Sequence, residues 1–206
     1  MKKKLWISVI AIAACVVIGF VAAVLIPILT HQNGGASGYT ETTAEGARLV
    51  AKGDDGRTRT LEARDSSGEL LDVTRIRPGE KIVVRGSGYN PDIGIYVSFC
   101  RIPEAEGAKF TPCLGEVPAS EEEAEAQNSE GGEGSSAWIT NDFVWRVFAT
   151  GQFQPDGSFE AHLIIPESSG NGVDCRKEQC GLVTRADHTA SGDRIQDMAI
   201  PLQFTE

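Results

Sequence analysis

Hydrophobic residues are distributed very unevenly along the chain. Residues 5–29 contain no charged residue, whereas from about residue 69 onward the apolar residues come in short runs separated by Gly, Pro, Asp and Asn. The first run is long enough for a membrane-spanning helix, and short runs with regular turn signals are typical of antiparallel strands. The pattern therefore predicts one N-terminal transmembrane helix followed by an all-β domain.

The short runs after residue 69 predict about seven strands. Two faces can be distinguished in places, as in strands with one buried face: Ile82 and Val84 alternate with Val83 and Arg85, and Phe159, Ala161 and Leu163 alternate with Glu160 and His162. Many short strands without a long helical period favour one antiparallel sandwich, for which about 135 residues suffice. The predicted strand segments are LLDVTRI, EKIVVRG, GIYVSFC, DFVWRVF, GQFQ, SFEAHLII, GLVTRAD and MAIPLQF.

The apolar N-terminal segment is 25 residues long. As a helix it would span roughly 37 Å, more than a hydrocarbon core of about 30 Å requires. Lysines at positions 2–4 precede it, and the next Lys or Arg is Arg48, so the positive-inside rule predicts a cytoplasmic N-terminus. A cleaved secretory signal and a lipoprotein signal ending at Cys15 are the alternatives to an uncleaved anchor. All three export the rest of the chain.

Composition divides the exported part into a stalk and a domain. Small polar residues over 30–46 are typical of a flexible stalk, and two short runs around GDDG within 47–65 fit a hairpin. We expect a stalk with a possible hairpin over 30–68 and the β-sandwich over 69–206. An acidic insertion over 116–137 favours disorder, with a short helix or an acidic arm for a basic partner as alternatives.

The charge of the exported part argues against several partners. Without the three lysines of the cytoplasmic cap (residues 1–4), 16 Lys and Arg face 29 Asp and Glu, a net charge of −13. An acidic domain is a poor match for nucleic acid and for anionic lipid head groups. We therefore expect no nucleic-acid partner. The expected partners are the bilayer, through residues 5–29, and other membrane proteins.

Four cysteines, Cys100, Cys113, Cys175 and Cys180, lie in the exported part. An even number in an oxidising compartment predicts disulfides, with three possible connectivities. The C-x4-C spacing of the last two does not fit a C-x-x-C redox motif, and a zinc site would need two further ligands. We therefore expect the pairs Cys175–Cys180 and Cys100–Cys113, with Cys15 an apolar residue of the helix.

The order of several segments resembles the neocarzinostatin family of actinobacterial apoproteins, which carry enediyne chromophores. The segments are GEKIVVRGSGYNPDIGIYVSFC, DGSFEAHLII, VDCRKEQC and the final IPLQF, within residues 70–204. The resemblance implies an immunoglobulin-like sandwich with two short-range disulfides and a ligand cleft beside them. The chain departs from the family in its wider C-x12-C spacing, its acidic insertion and its membrane anchor.

Two segments contain the candidate binding residues. Trp138, Phe143 and Trp145 belong to an aromatic-rich stretch, in which Phe143 and Trp145 are predicted to share one strand face. Asp187 and His188 follow the second disulfide in a polar connector. An aromatic patch that faces a partner or ligand is one interpretation. Core packing for the aromatic residues and a plain strand connector for the polar ones are the alternatives.

Catalysis is not predicted for this chain. Asp187 and His188 lack an activated nucleophile, and the aspartates of 187–197 do not follow an EF-hand spacing. We therefore expect no metal, no cofactor and no enzymatic activity. The expected function is an extracytoplasmic interaction domain, as an accessory or structural subunit of a membrane protein complex. The alternative is a cell-surface module that binds a small hydrophobic molecule or haem, the latter through His162 or His188.

Overall fold

The computed structural model describes residues 2–105, 107–115 and 134–205, which fall into two compact units. The first unit, residues 1–32, is a single helix, α1 (Lys2–Thr30). The second begins at Asn33 and is built of β-strands. Its described strands are β1 (Arg48–Lys52), β2 (Thr58–Asp65), β3 (Lys81–Ser87), β4 (Ile95–Arg101), β5 (Ser136–Ile139), β6 (Phe159–Ile164), β7 (Ser169–Gly170), β8 (Val173–Asp174), β9 (Cys180–Ala186) and β10 (Met198–Leu202).

Helix α1 has the length and composition of a membrane span. Its segment Val9–Thr30 has a mean hydropathy of 3.2, and none of it is buried against the rest of the chain. A signal sequence near an N-terminus has the same properties, so the helix fits either an anchor or a signal peptide. The predicted apolar N-terminal helix is confirmed, while its retention and its orientation stay predictions.

Two four-stranded antiparallel sheets form the sandwich. One has the strand order β1-β2-β3-β6 and the other β10-β9-β4-β5, and β7 with β8 makes a separate two-stranded ribbon. The order β2-β3-β6 opposite β10-β9-β4-β5 is the strand arrangement of an immunoglobulin-like sandwich, with β1 added at one edge. The predicted all-β antiparallel sandwich is confirmed.

The core lies between the two sheets. Burial alternates along β2 and β3, so that one face of their sheet packs inward and the other meets solvent. Strand β9 is instead buried along almost its whole length. The outer face of its sheet is covered, because Phe110 packs there against Cys100, Val183 and Ala199. Tyr39 in turn contacts the Phe110 ring, with the ring centroids 5.4 Å apart.

Both predicted disulfides are present. Cys100 at the end of β4 pairs with Cys113 in the following loop, and Cys175 after β8 pairs with Cys180 at the start of β9. Cys15 is a free cysteine in α1. Each bridge closes a short loop beside the same sheet, and the first holds the loop that carries Phe110 onto its outer face. The predicted pairing is confirmed.

The aromatic stretch over residues 142–148 is a turn and not the predicted strand DFVWRVF. Asp142 Oδ1 accepts hydrogen bonds from the amides of Val144 (2.8 Å) and Trp145 (3.2 Å), and the Arg146 amide donates to the Asp142 carbonyl. Such local bonds satisfy the backbone without a neighbouring strand. The strand of this region is β5, immediately before the turn. LLDVTRI and GQFQ were likewise predicted as strands, but each contributes only isolated bridges among the described residues.

Residues 33–68 of the predicted stalk with a possible hairpin lie within the second unit. Strands β1 and β2 pair across the turn of residues 53–56, and Ala36 bridges to Arg194. The hairpin supplies apolar residues to the core: Leu49, Ala51, Leu61 and Ala63. The unit therefore begins at Asn33, before the expected boundary at residue 69.

The predicted acidic insertion of residues 116–137 is described only at its end. Residues 116–133 lie outside the described part of the chain, so the expectation of disorder or of a short helix there stays a prediction. Ser136 and Ala137, at the end of the insertion, are buried residues of β5. The sandwich therefore resumes slightly earlier than the composition indicates.

A buried arginine connects the loops at one end of the sandwich. Arg59 is fully buried and donates to both carboxylate oxygens of Asp55 (3.0 and 2.6 Å) and to Gln196 Oε1 (2.9 Å). Gln196 Nε2 donates to the carbonyls of Asn90 (2.9 Å) and Ile93 (3.1 Å). This network joins the β1–β2 turn, the β3–β4 loop and the β9–β10 connector.

We expect Arg59→Ala to lower the free energy of unfolding by about 3–5 kcal/mol, because it leaves polar partners at the buried site unpaired. Arg57→Ala is the matched control. Arg57 is half-exposed, its Nε is 3.8 Å from the same Asp55 carboxylate, and its loss should cost less than about 1 kcal/mol. Urea unfolding of both variants measures the difference. Equal destabilisation by the two would contradict a structural role for the buried network.

Candidate functional site

Most of the predicted binding residues come together at one end of the sandwich. The ring of His188 lies 4.7 Å from that of Trp145 and 5.2 Å from that of Trp138, centroid to centroid. The two indole rings are 6.3 Å apart. Tyr96 completes the group, with its ring 5.8 Å from Trp138. We call Tyr96, Trp138, Trp145 and His188 the aromatic cluster.

Strand register places two of these rings on the outer face of the second sheet. Tyr96 on β4 pairs with Trp138 on β5 and with Arg185 on β9, so the three side chains form a row across the strands. The Arg185 guanidinium lies 5.2 Å from the Tyr96 ring centroid, a cation–π distance. Burial in this row raises the pKa of the Tyr96 hydroxyl to about 12. The row is therefore a packed surface and not a set of independent side chains.

The Asp187 carboxylate holds the cluster together. Asp187 is completely buried, and its Oδ2 accepts a hydrogen bond from Trp138 Nε1 at 2.9 Å. Its Oδ1 accepts from the amide (2.8 Å) and the hydroxyl (2.6 Å) of Thr189. Its own amide donates to the Gly94 carbonyl at 2.8 Å. One side chain therefore joins β5 to the β9–β10 connector, and its backbone joins both to the start of β4.

Gly94 makes room for this carboxylate. A Cβ at position 94 would lie 2.0 Å from Asp187 Oδ2 and 2.7 Å from Thr140 Oγ1. No side chain fits at those distances, so the position requires glycine as long as Asp187 and Trp138 keep their hydrogen bond. The requirement is steric, since the constraint comes from neighbouring atoms.

His188 lies at the surface of the cluster. Its Nδ1 is 2.9 Å from the Tyr96 hydroxyl oxygen, and its ring meets both tryptophans edge-on. His162, the other residue considered for haem, lies on β6 of the opposite sheet with Nε2 3.2 Å from a Glu160 carboxylate oxygen. The structure thus places only His188 among the aromatic residues.

The turn of residues 142–148 exposes large apolar side chains next to the cluster. Phe143 is 78% exposed, Val147 55% and Phe148 40%. Phe148 contacts the ring of Trp145, at 6.4 Å between centroids, and so continues the cluster. Phe143 instead projects outward with the Arg146 guanidinium 5.0 Å from its ring centroid. Its predicted place beside Trp145 on one strand face is wrong, because the segment is a turn.

Charged residues lie in the connector beside the cluster. Arg194 Nη1 donates to Asp197 Oδ2 at 3.1 Å, and Asp193 accepts hydrogen bonds from the amides of Ile195 (2.9 Å) and Gly34 (3.0 Å). Burial raises the pKa of Asp197 to about 7, although Arg194 and Arg185 both oppose the shift. Within the described residues, no three His, Cys, Asp or Glu side chains group in a way that could hold a metal ion.

Tyr96 was not among the predicted binding residues. Tyr96 alternates with the buried Ile95 and Val97 on β4, so it must face away from the core. That alternation was visible in the sequence, but which residues lie opposite Tyr96 depends on the pairing of β4 with β5 and β9. Pairing between strands distant in sequence is set by tertiary structure and has no local signal.

Comparisons with known proteins give limited information about this architecture. No protein-family model matches the sequence, and neither does any curated protein. Among solved structures the chain is similar to macromomycin, an all-β protein of the neocarzinostatin family, with 15% identity and a TM-score of 0.36. The alignment covers 70% of this chain and 99% of macromomycin. The similarity is too weak to carry an argument, so membership of that family stays a prediction.

We expect Asp197→Asn to alter how stability depends on pH. Because the pKa of Asp197 is raised in the folded state, between about pH 4 and pH 7 the folded protein keeps a proton on Asp197 that the unfolded chain has lost. The contribution of Asp197 to the free energy of unfolding therefore falls as the pH rises through this window. Asparagine does not titrate, so the variant lacks this pH dependence of the free energy of unfolding. The free energy of unfolding of the variant, relative to wild type, should therefore rise by roughly 2 kcal/mol from about pH 5 to pH 8. Parallel pH profiles would contradict the raised pKa.

Proposed function

We propose that the protein is a membrane-anchored, extracytoplasmic and non-catalytic interaction domain, and that it serves as an accessory or structural subunit of a membrane protein complex. The observation that carries the proposal is the long apolar helix α1 joined to a disulfide-bonded sandwich, whose turn 142–148 also exposes an apolar surface beside the aromatic cluster. A contiguous apolar surface on a soluble domain marks a place of contact with another molecule. The cluster behind it is held in one arrangement by the hydrogen bonds of Asp187.

The disulfides and the N-terminal segment both support the proposed compartment. Two disulfides favour an oxidising environment for the sandwich, because the cytoplasm keeps most thiols reduced. Three lysines before an apolar helix, with no Lys or Arg following until Arg48, favour a cytoplasmic N-terminus. An uncleaved α1 satisfies both conditions, with the helix in the membrane and the sandwich outside.

A module for a small hydrophobic ligand or haem is the weaker candidate. Such sites are usually enclosed and lined mainly by apolar side chains. Two concave surfaces of the described sandwich are lined mainly by polar and charged residues, one around Asp72, Arg75 and Lys81 and one around Glu62, Arg85 and Glu160. The apolar residues lie instead on a projecting turn, a shape that suits contact with a surface more than enclosure of a small molecule.

Mild detergent extraction of the tagged full chain from its native membranes tests the proposal. We expect membrane proteins to co-purify in fixed stoichiometry. A version in which an unrelated membrane helix replaces residues 5–29 is the matched control, since it keeps the anchor and the whole sandwich. Loss of the co-purifying proteins on this exchange would make α1 a recognition element, and their retention would assign recognition to the sandwich. Recovery of a stoichiometric small molecule with no protein partner would contradict the proposal.

A further inference from the structure

We propose that the turn of residues 142–148 inserts its apolar side chains into the head-group region of the lipid bilayer that anchors the chain. This inference rests on the proposed function only in requiring that α1 be retained in a membrane. The ligand is the phospholipid surface itself, at the boundary between head groups and acyl chains. The inserting residues are Phe143, Val147 and Phe148, with Trp145 behind them.

The composition of the turn suits that boundary. Trp and Tyr are enriched where head groups meet acyl chains, and Phe is typical of the apolar face of segments that lie in this boundary. Arginine can keep its guanidinium among the head groups while its stem lies in apolar material. Arg146 lies over the ring of Phe143 in this manner. Trp145 is partly buried against His188 and Trp138, so it supports the exposed side chains from behind.

The turn is presented as a preformed unit. Asp142 Oδ1 binds the amides of Val144 and Trp145, and the Phe148 amide donates to the Trp145 carbonyl at 2.9 Å. These bonds satisfy backbone groups within the turn itself. Insertion of the side chains therefore does not require the turn to break hydrogen bonds or to order a disordered segment.

The chain enters the sandwich at the same end as this turn. The amide of Gly34 donates to Asp193 Oδ2 at 3.0 Å, and a Cβ on Gly34 would lie 2.9 Å from Ile195. His188, in the same β9–β10 connector, packs on Trp145. The first residues of the sandwich and the aromatic cluster therefore share one connector and one end of the fold.

The connection between the helix and the second unit is short. Helix α1 ends at Thr30 and the second unit begins at Asn33, so residues 31 and 32 alone separate them. Two extended residues add about 7 Å. The second unit of a chain anchored through Val9–Thr30 is therefore tethered to the membrane surface by a short connection.

Lipid fits the turn better than a protein partner does. A stable protein interface buries about 800 Å² on each side and involves 20–30 residues, far more than three exposed side chains provide. A tethered domain needs a much smaller contact area to stay on the bilayer, because the anchor already keeps the domain at a high effective concentration near the membrane. The turn contains one acidic and one basic residue, Asp142 and Arg146, so its insertion requires no anionic lipid.

Tryptophan quenching by lipids with brominated acyl chains tests the inference on the full chain. The chain carries Trp6→Phe, so that Trp138 and Trp145 report alone, and is reconstituted in zwitterionic vesicles. We expect emission to fall in brominated lipid relative to the unbrominated lipid. The triple variant Phe143→Ser/Val147→Ser/Phe148→Ser should lose this quenching. The control variant Val50→Ser/Leu70→Ser, at positions 43% and 44% exposed away from the turn, should keep it.

Each other outcome overturns the inference. Undiminished quenching in the triple variant, or none in the parent chain, removes the turn from the bilayer. If quenching requires anionic lipid, the membrane contact is electrostatic and does not come from apolar insertion. If quenching appears only at a high protein-to-lipid ratio or with added membrane protein, the apolar surface contacts a protein partner. Vesicle flotation separates the two proposals: a chain that floats without quenching overturns only this inference, and a chain that fails to float overturns the proposed anchor as well.

Discussion

The hydrogen bonds of the buried Asp187 carboxylate are the constraint on which the aromatic end of the sandwich depends. They hold the Trp138 indole from β5 and the Thr189 backbone from the β9–β10 connector at a point where Gly94 leaves space. A buried carboxylate is costly unless its oxygens are hydrogen-bonded, and here both oxygens are. The position of Trp138 in turn sets where His188 and Trp145 can pack. The exposed turn is thus supported by a chain of contacts that begins inside the sandwich.

The same end of the fold also contains the buried Arg59 network and the first residues of the sandwich. Arg59 fixes the β1–β2 turn to the connector through Asp55 and Gln196, and the segment after Asn33 packs against the same connector. Three features that the sequence separates widely, namely the first residues of the sandwich, the polar network and the aromatic cluster, therefore meet at one connector.

Local patterns in the sequence predicted the parts of the fold that depend on local chemistry. Alternation identified β3 and β6, and cysteine spacing identified both disulfides, because each signal lies within a few residues. The turn at 142–148 was mistaken for a strand, since its aromatic residues have high strand propensity while Asp142 captures the backbone amides. Asp187, His188, Trp138 and Trp145 were recognised as candidates by residue type. Their contacts, and the inclusion of Tyr96, follow from strand pairing that only the folded chain defines.

The central claim is that the aromatic end of the anchored sandwich lies against a surface in the native membrane. Hydroxyl-radical footprinting of the full chain in native membranes tests it most directly, with oxidation rates normalised for the intrinsic reactivity of each side chain. The claim predicts that Phe143 and Phe148 are oxidised more slowly than Leu70, although Phe143 is far more exposed than Leu70 in the isolated chain and Phe148 about equally exposed. Rates that follow those exposures, with Phe143 fastest, would contradict it.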